Sequence, residues 1–223
     1  LQTGADIEAF DVEQPYDGTY QETIQRGMQE KNFGTYPKAK ALESDLSKYD
    51  IIYLGYPVWF GTCANPVFSL LESVNLSGKT IVPFCTFGSG GLNTSVNDLR
   101  VTLPGTKILD GYGVRQARVA KAPAEIARFL VLAGLKEGSV EEYPEFSAQE
   151  PVNEETSAIF DAACSSYPMP LGTPSTVGYR QIPDGTEYLF TVAGTGADGT
   201  PSQTEIYVIA GNDGTTEFTQ VVR

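Results

Sequence analysis

Two runs of apolar residues without polar alternation, at 51–56 and 80–86, organise the first half of this chain. An unbroken apolar run predicts a strand covered on both faces, as in a parallel sheet flanked by helices. Helical spacing fills the intervals between them. Residues 19–30 place Ile24 and Met28 on one face, and Leu42, Leu46 and Tyr49 lead into the first run. Asn65 reads as a helix cap with Pro66 at the first helical position, followed by a stripe of Val67, Leu70, Leu71 and Val74. Val96, Leu99 and Leu103 mark a further helix closed by Pro104-Gly105, residues 107–114 a strand, and 124–135 a covering helix with Ile126, Phe129 and Leu130. At the start, residues 6–12 set Ile7 and Ala9 between charges and run to Pro15, as an outer strand would. Strands alternating with helices predict a doubly wound α/β sheet.

The character changes after an acidic linker at 136–152, rich in Glu and carrying Pro144 and Pro151. Asn153 predicts the cap of a helix with Thr156, Ile159, Phe160, Ala163, Cys164 and Tyr167 on one side. Four strand-like segments follow at 176–182, 186–192, 205–210 and 217–222, with turn signals at Pro183-Asp184-Gly185 and Gly211-Asn212-Asp213-Gly214. One helix and a four-stranded antiparallel meander make a second, small α+β domain of roughly seventy residues, a size that can fold alone. The expected domains are therefore 1–135, a linker at 136–152, and 153–223.

Each apolar run of the first domain empties into a loop of special composition. Pro57-Val58-Trp59-Phe60-Gly61-Thr62 follows the first and contains the one Trp; Phe87-Gly88-Ser89-Gly90-Gly91 follows the second, directly after Thr86. Ligands of such sheets sit at the carboxyl ends of the strands. An indole beside a loop whose backbone can approach closely suits a flat aromatic ligand. A Trp that plugs the core and glycines that only make turns would give the same composition.

The ordered set Leu54-Gly55-Tyr56-Pro57-Val58-Trp59-Phe60-Gly61-Thr62, Asn65-Pro66-Val67-Phe68, Ser77-Gly78-Lys79-Thr80 and Pro83-Phe84-Cys85-Thr86-Phe87-Gly88-Ser89-Gly90-Gly91 resembles the flavodoxin family, in its long-loop, Trp-containing branch, over residues 1–135. The resemblance implies a flavodoxin-like sheet, noncovalent flavin mononucleotide (FMN) and electron transfer with no catalytic acid or base. A flat ring would take Trp59 as one stacking wall with Phe60 as a support, and Phe87 is a candidate for the other wall. The peptides around Phe60-Gly61-Thr62 would face the reactive ring nitrogen, with Gly61 letting a peptide reorient when the flavin gains an electron. Residues 86–91 would give N–H donors to the pyrimidine edge. In the second domain, Gln181-Ile182-Pro183-Asp184-Gly185-Thr186-Glu187-Tyr188 is similar to the Q-x-V-x-G hairpin of the cystatin fold. Pro183 replaces its central Val and no Trp-bearing second hairpin follows, so this likeness concerns architecture and not protease inhibition.

Flavodoxins open with an apolar strand and a Ser/Thr-Gly-Asn-Thr-type loop that cradles the phosphate. Here Leu1-Gln2-Thr3-Gly4-Ala5-Asp6 matches the end of the helix after that loop. The expected central strand belongs between 6–12 and 51–56, whose edges would otherwise be unpaired. Three explanations stand: an upstream segment, a strand swapped from a partner copy, or a circular permutation. In the last, 206–210 would be the strand, Gly211-Asn212-Asp213-Gly214-Thr215-Thr216 the phosphate loop, and Phe218, Val221 and Val222 the helix stripe. β-branched, Thr-rich composition favours a final hairpin instead. Antiparallel pairing of 206–210 with 186–192 decides for the hairpin.

The net charge of −13 argues against nucleic acid or an anionic membrane as partner. It suits basic redox partners, and its field would lower the potential of a flavin that becomes anionic. Three cysteines without CxxC spacing predict neither a disulfide framework nor zinc. Cys85 reads as core; Cys63, after the Trp loop, has no His to activate it. The absence of His removes Ser-His-Asp hydrolysis and most catalytic metal sites, so no metal is expected. No apolar run reaches membrane-spanning length. Leu1-Gln2-Thr3-Gly4 reads as neither a signal peptide nor an initiation site, which predicts a processed or trimmed chain, cytoplasmic or exported. Two other functions share these features: a binding protein on a flavodoxin scaffold without flavin, and an FMN-dependent quinone reductase.

Overall fold

A computed structural model describes residues 2–195 and 199–223. Leu1, which opens the stretch read as the end of a helix, lies outside the described residues, as do 196–198 of the second domain. The chain divides into two compact units at Gly138/Ser139.

In the first unit, helix α1 (Tyr20–Phe33) begins with a capping box between Thr19 and Glu22 and ends at Gly34, whose φ of 63° is the left-handed stop that glycine takes without strain. Strand β1 (Ile51–Trp59) turns back into the short β2 (Thr62–Cys63), and α2 (Asn65–Ser73) follows at once. β3 (Thr80–Phe87) lies parallel to β1, with Ile51 opposite Thr80 and Pro57 opposite Thr86. Helix α3 (Leu92–Thr102) leads to β4 (Lys107–Ile108) and β5 (Tyr112–Arg115), and α4 (Ala122–Leu132) closes the alternation.

The two apolar runs are thus neighbours in a parallel sheet. Ile81 and Val82 are both fully buried although they point to opposite faces, because helices cover both. Burial of one such aliphatic side chain contributes about 1.5–3 kcal/mol. The core also takes Leu54 and Tyr56 of β1, Val67 and Leu71 of α2, and Leu99 of α3.

Several expectations are corrected. The strand expected at 107–114 breaks into β4 and β5, both parallel to β3. Gly111 between them sits at φ 76°, where a β-carbon would stand 2.6 Å from the Pro83 carbonyl oxygen. Asn65 does not cap α2. Ala64 occupies that position, and the Asn65 amide donates instead to the Gly27 carbonyl of α1. Residues 6–12 form no outer strand; they hold one isolated bridge, Val12 to Ala39, and leave Ile7 exposed.

The reason lies between them and β1. Among the described residues no strand pairs with the edge of β1 opposite β3 over 51–57, so the segment at 6–12 has no ladder to join. A cavity of about 180 Å³ runs along that edge, lined by Phe10, Leu42, Ile51, Leu54, Leu70 and Ile81 among others.

The second unit packs α5 (Glu154–Cys164) on one face of an antiparallel sheet of β7 (Thr176–Ile182), β8 (Gly185–Thr195), β9 (Pro201–Gly211) and β10 (Thr216–Val222). Asn153 and Thr156 form the expected cap. Phe160, Phe190, Ile206, Val208 and Phe218 fill the core, with Phe160 and Phe190 edge to face at 5.1 Å. The four-stranded meander gains a fifth strand, β6 (Glu150–Pro151), from the end of the acidic stretch. Ile206 lies opposite Phe190 and Ile209 opposite Glu187 in antiparallel register. That pairing ends the circular-permutation reading.

Candidate functional site

β1 and β2 are joined by a two-residue turn, with Trp59 opposite Thr62 and Val58 opposite Cys63. Both central residues have positive φ, Phe60 at 51° and Gly61 at 84°, as the twist of a tight hairpin demands. Gly61 meets that demand freely. Phe60 is the one non-glycine residue at positive φ among the described residues, a conformation costing on the order of 1–3 kcal/mol.

Helix α1 holds the turn in that state. The Phe60 ring lies on Gly27, where a β-carbon would stand 3.0 Å from it. Lys31 Nζ donates to the Phe60 carbonyl at 2.8 Å. The Trp59 indole meets Tyr16 edge on, with ring centroids 5.0 Å apart and planes at 84°. Tyr16 is fixed in turn, because its hydroxyl donates to Glu30 and the Arg26 guanidinium lies 4.0 Å from its ring centre. Glu30 accepts further from Arg26 Nε at 2.7 Å and Asn65 Nδ2 at 2.9 Å. Burial, and then the Glu30 carboxylate, push the Tyr16 phenol well above its ordinary range.

The second loop starts where β3 ends. Gly91 takes φ 115° as the N-cap of α3, and its Cα meets the first loop. A β-carbon there would lie 2.6 Å from Val58 Cγ1 and 3.1 Å from the Gly61 carbonyl oxygen. The Gly88 carbonyl accepts from Arg115 Nε at 2.8 Å. Pro57 and Thr86, paired across the two strands, are exposed, as are Phe60, Gly61 and Gly88; Val58, Trp59, Ser89, Gly90 and Gly91 are partly so.

Ten of the twelve residues expected at the site therefore share one accessible rim. The other two do not present side chains there. Phe87 is 5 % exposed and belongs to the hydrophobic core, so it is no stacking wall. Thr62 is buried, and its hydroxyl donates to Asp98 of α3; only its backbone stays at the turn. Cys63 is fully buried, and burial pushes its thiol up to about 12, which removes it as a nucleophile.

Tyr16, Arg26, Glu30, Lys31 and Arg115 were missed. The Lys31 contact joins residues 29 apart in sequence, and no local pattern signals it. The residues of the rim fit the ring of a flat heteroaromatic. An indole of fixed orientation stands at one end, and no heavy atom lies within 4 Å of where a β-carbon would project from Gly61 or Gly88. Among the described residues no group of three or more His, Cys, Asp or Glu is placed to hold a metal ion.

A family model described as Flavodoxin matches residues 2–125. A candidate flavoprotein from Bacteroides eggerthii is 27 % identical, over 56 % of this chain and 79 % of its own, with TM-score 0.47. One from Bacteroides uniformis is 23 % identical, over 52 % and 78 %, with TM-score 0.46. A Lactobacillus acidophilus flavoprotein in complex with FMN is 24 % identical, over 50 % and 76 %, with TM-score 0.41. No curated protein matches the chain. The family match alone spans more than half of the sequence and covers both loops of the rim and the strands that carry them. The chain belongs to the flavodoxin family.

Proposed function

We propose that the unit ending at Gly138 binds FMN noncovalently at this rim and serves as an electron-transfer protein. The observation that carries the reading is the contact of Gly91 with Val58 and Gly61, which joins the Trp turn and the glycine loop into one slot. Bound FMN would supply a ring that takes up and returns electrons, so no acid, base or nucleophile is asked of the protein. Trp59 gives the ring an aromatic partner whose plane Tyr16 fixes. Backbone at Gly61 and Gly88 would approach the polar edge with no side chain of its own in the way. Arg115 pins the glycine loop through the Gly88 carbonyl. The net charge of −13 disfavours further negative charge on the ligand and favours basic redox partners.

The test is reconstitution of the purified chain with FMN and with riboflavin, read by the visible flavin spectrum after desalting. Retained, red-shifted flavin absorbance is expected, with affinity lowered about tenfold in W59A. Colourless protein after saturation with either ligand would end the reading.

The edge of β1 supports a second reading, a scaffold that takes up an extended strand from a partner or a second copy. Along residues 51–57 of β1 no strand among the described residues pairs with the edge opposite β3, an apolar cavity lies beside it, and such an edge invites strand addition. Protein that stays colourless with flavin but elutes as a dimer would favour it.

A further inference from the structure

Both ends of Phe60 are tied to α1, its ring by Gly27 and its carbonyl oxygen by Lys31 Nζ at 2.8 Å. The described chain contains no cis peptide bond. In a planar trans peptide the C=O and the following N–H point in opposite directions. Holding Phe60 O toward α1 therefore turns the Gly61 N–H away from α1. Gly61 is a central residue of the turn, outside the paired residues of the hairpin, and the space into which its β-carbon would project is open.

We propose that Lys31 is a positioning residue that locks the Phe60–Gly61 peptide with its N–H outward, so that the turn offers the bound ring a donor and not an acceptor. The inference rests on the flavin reading above. Its consequence is selectivity between two forms of one ligand. The reactive nitrogen of an oxidised isoalloxazine has a free lone pair and accepts from an N–H. The same atom in the reduced ring carries hydrogen, and a fixed N–H then meets it donor to donor. Without Lys31 the Phe60 carbonyl loses its tie to α1, and the peptide can turn and offer that carbonyl to the reduced ring.

The experiment compares the full chain with K31M and K31R, measuring Kd for oxidised FMN and for FMN reduced anaerobically with dithionite. The wild type binds the oxidised form more tightly. K31M lowers the ratio of reduced to oxidised Kd by about three- to tenfold, the range of a single hydrogen bond, and K31R, which keeps a donor, restores it. In ligand-free protein the Gly61 amide resonance moves in K31M and stays in K31R. A ratio unchanged in K31M, or altered equally in both variants, overturns the proposal while the flavin reading stands. Failure of the wild type to take up any flavin removes both, whatever the amide resonance does.

Discussion

The Cα of Gly91 is packed so tightly against Val58 that a β-carbon would stand 2.6 Å from Val58 Cγ1. Gly91 also sits at φ 115°, where an L side chain is strained. G91A must therefore push the glycine loop and the Trp turn apart. We expect a loss of about 1–3 kcal/mol in the first unit, measured by urea unfolding, together with weaker flavin binding. G61A tests the turn separately, since the space beside Gly61 is open and only its φ of 84° resists a side chain. Its cost should be the smaller of the two.

Asn65 is 1 % exposed and donates to both the Gly27 carbonyl and Glu30, so it fastens α2 to α1. N65A leaves those acceptors short of a donor and should cost about 1–3 kcal/mol. N65D places a carboxylate against Glu30 and should be worse at pH 7. Thermal unfolding of the two variants at pH 7 reads the difference.

Burial pushes the thiols of both Cys63 and Cys85 up to about 12 from an ordinary value of 9.0. A group whose pKa is raised by folding binds more protons in the folded state between the two values. Stability is therefore fully present below pH 9 and falls as the pH rises from 9 toward 12, at up to ~1.4 kcal/mol per pH unit for each thiol. Denaturant midpoints at pH 8, 9 and 10 check the sign. At pH 8 only Cys164, which is partly exposed, should react rapidly with a thiol reagent in folded protein.

The second unit has its own core and should unfold independently of flavin. F190A removes a fully buried ring that meets Phe160 edge to face and should cost about 3–5 kcal/mol. The loss should appear in the transition of the second unit alone. A fragment of residues 139–223 should show the same transition in isolation.

Much of this was legible because burial on both faces leaves a simple mark. The runs at Ile51 and Thr80 can be assigned to one sheet from the sequence alone, and the loops after them to one end of it. What failed was face and partner. Phe87 looked like a wall of the site, yet it falls on the buried side of β3 with Cys85, while Thr86 between them is exposed. Asn65 stands where a cap would, but Ala64 takes that place and the amide is drawn to α1 by Gly27 and Glu30. Residues 6–12 have strand alternation and no ladder to join. Local pattern reports what a residue could do, and the competing tertiary partner decides.

The central claim is that the Trp turn and the glycine loop form a slot for a flavin ring. The chain holds a single Trp, at that turn. Titrating riboflavin and FMN into the full chain while recording indole emission therefore tests the slot directly. Saturable quenching of Trp59, reaching its end point near one flavin per chain and weakened in G91A, is the predicted result. A loss of emission that never saturates and matches that of free tryptophan would contradict the account.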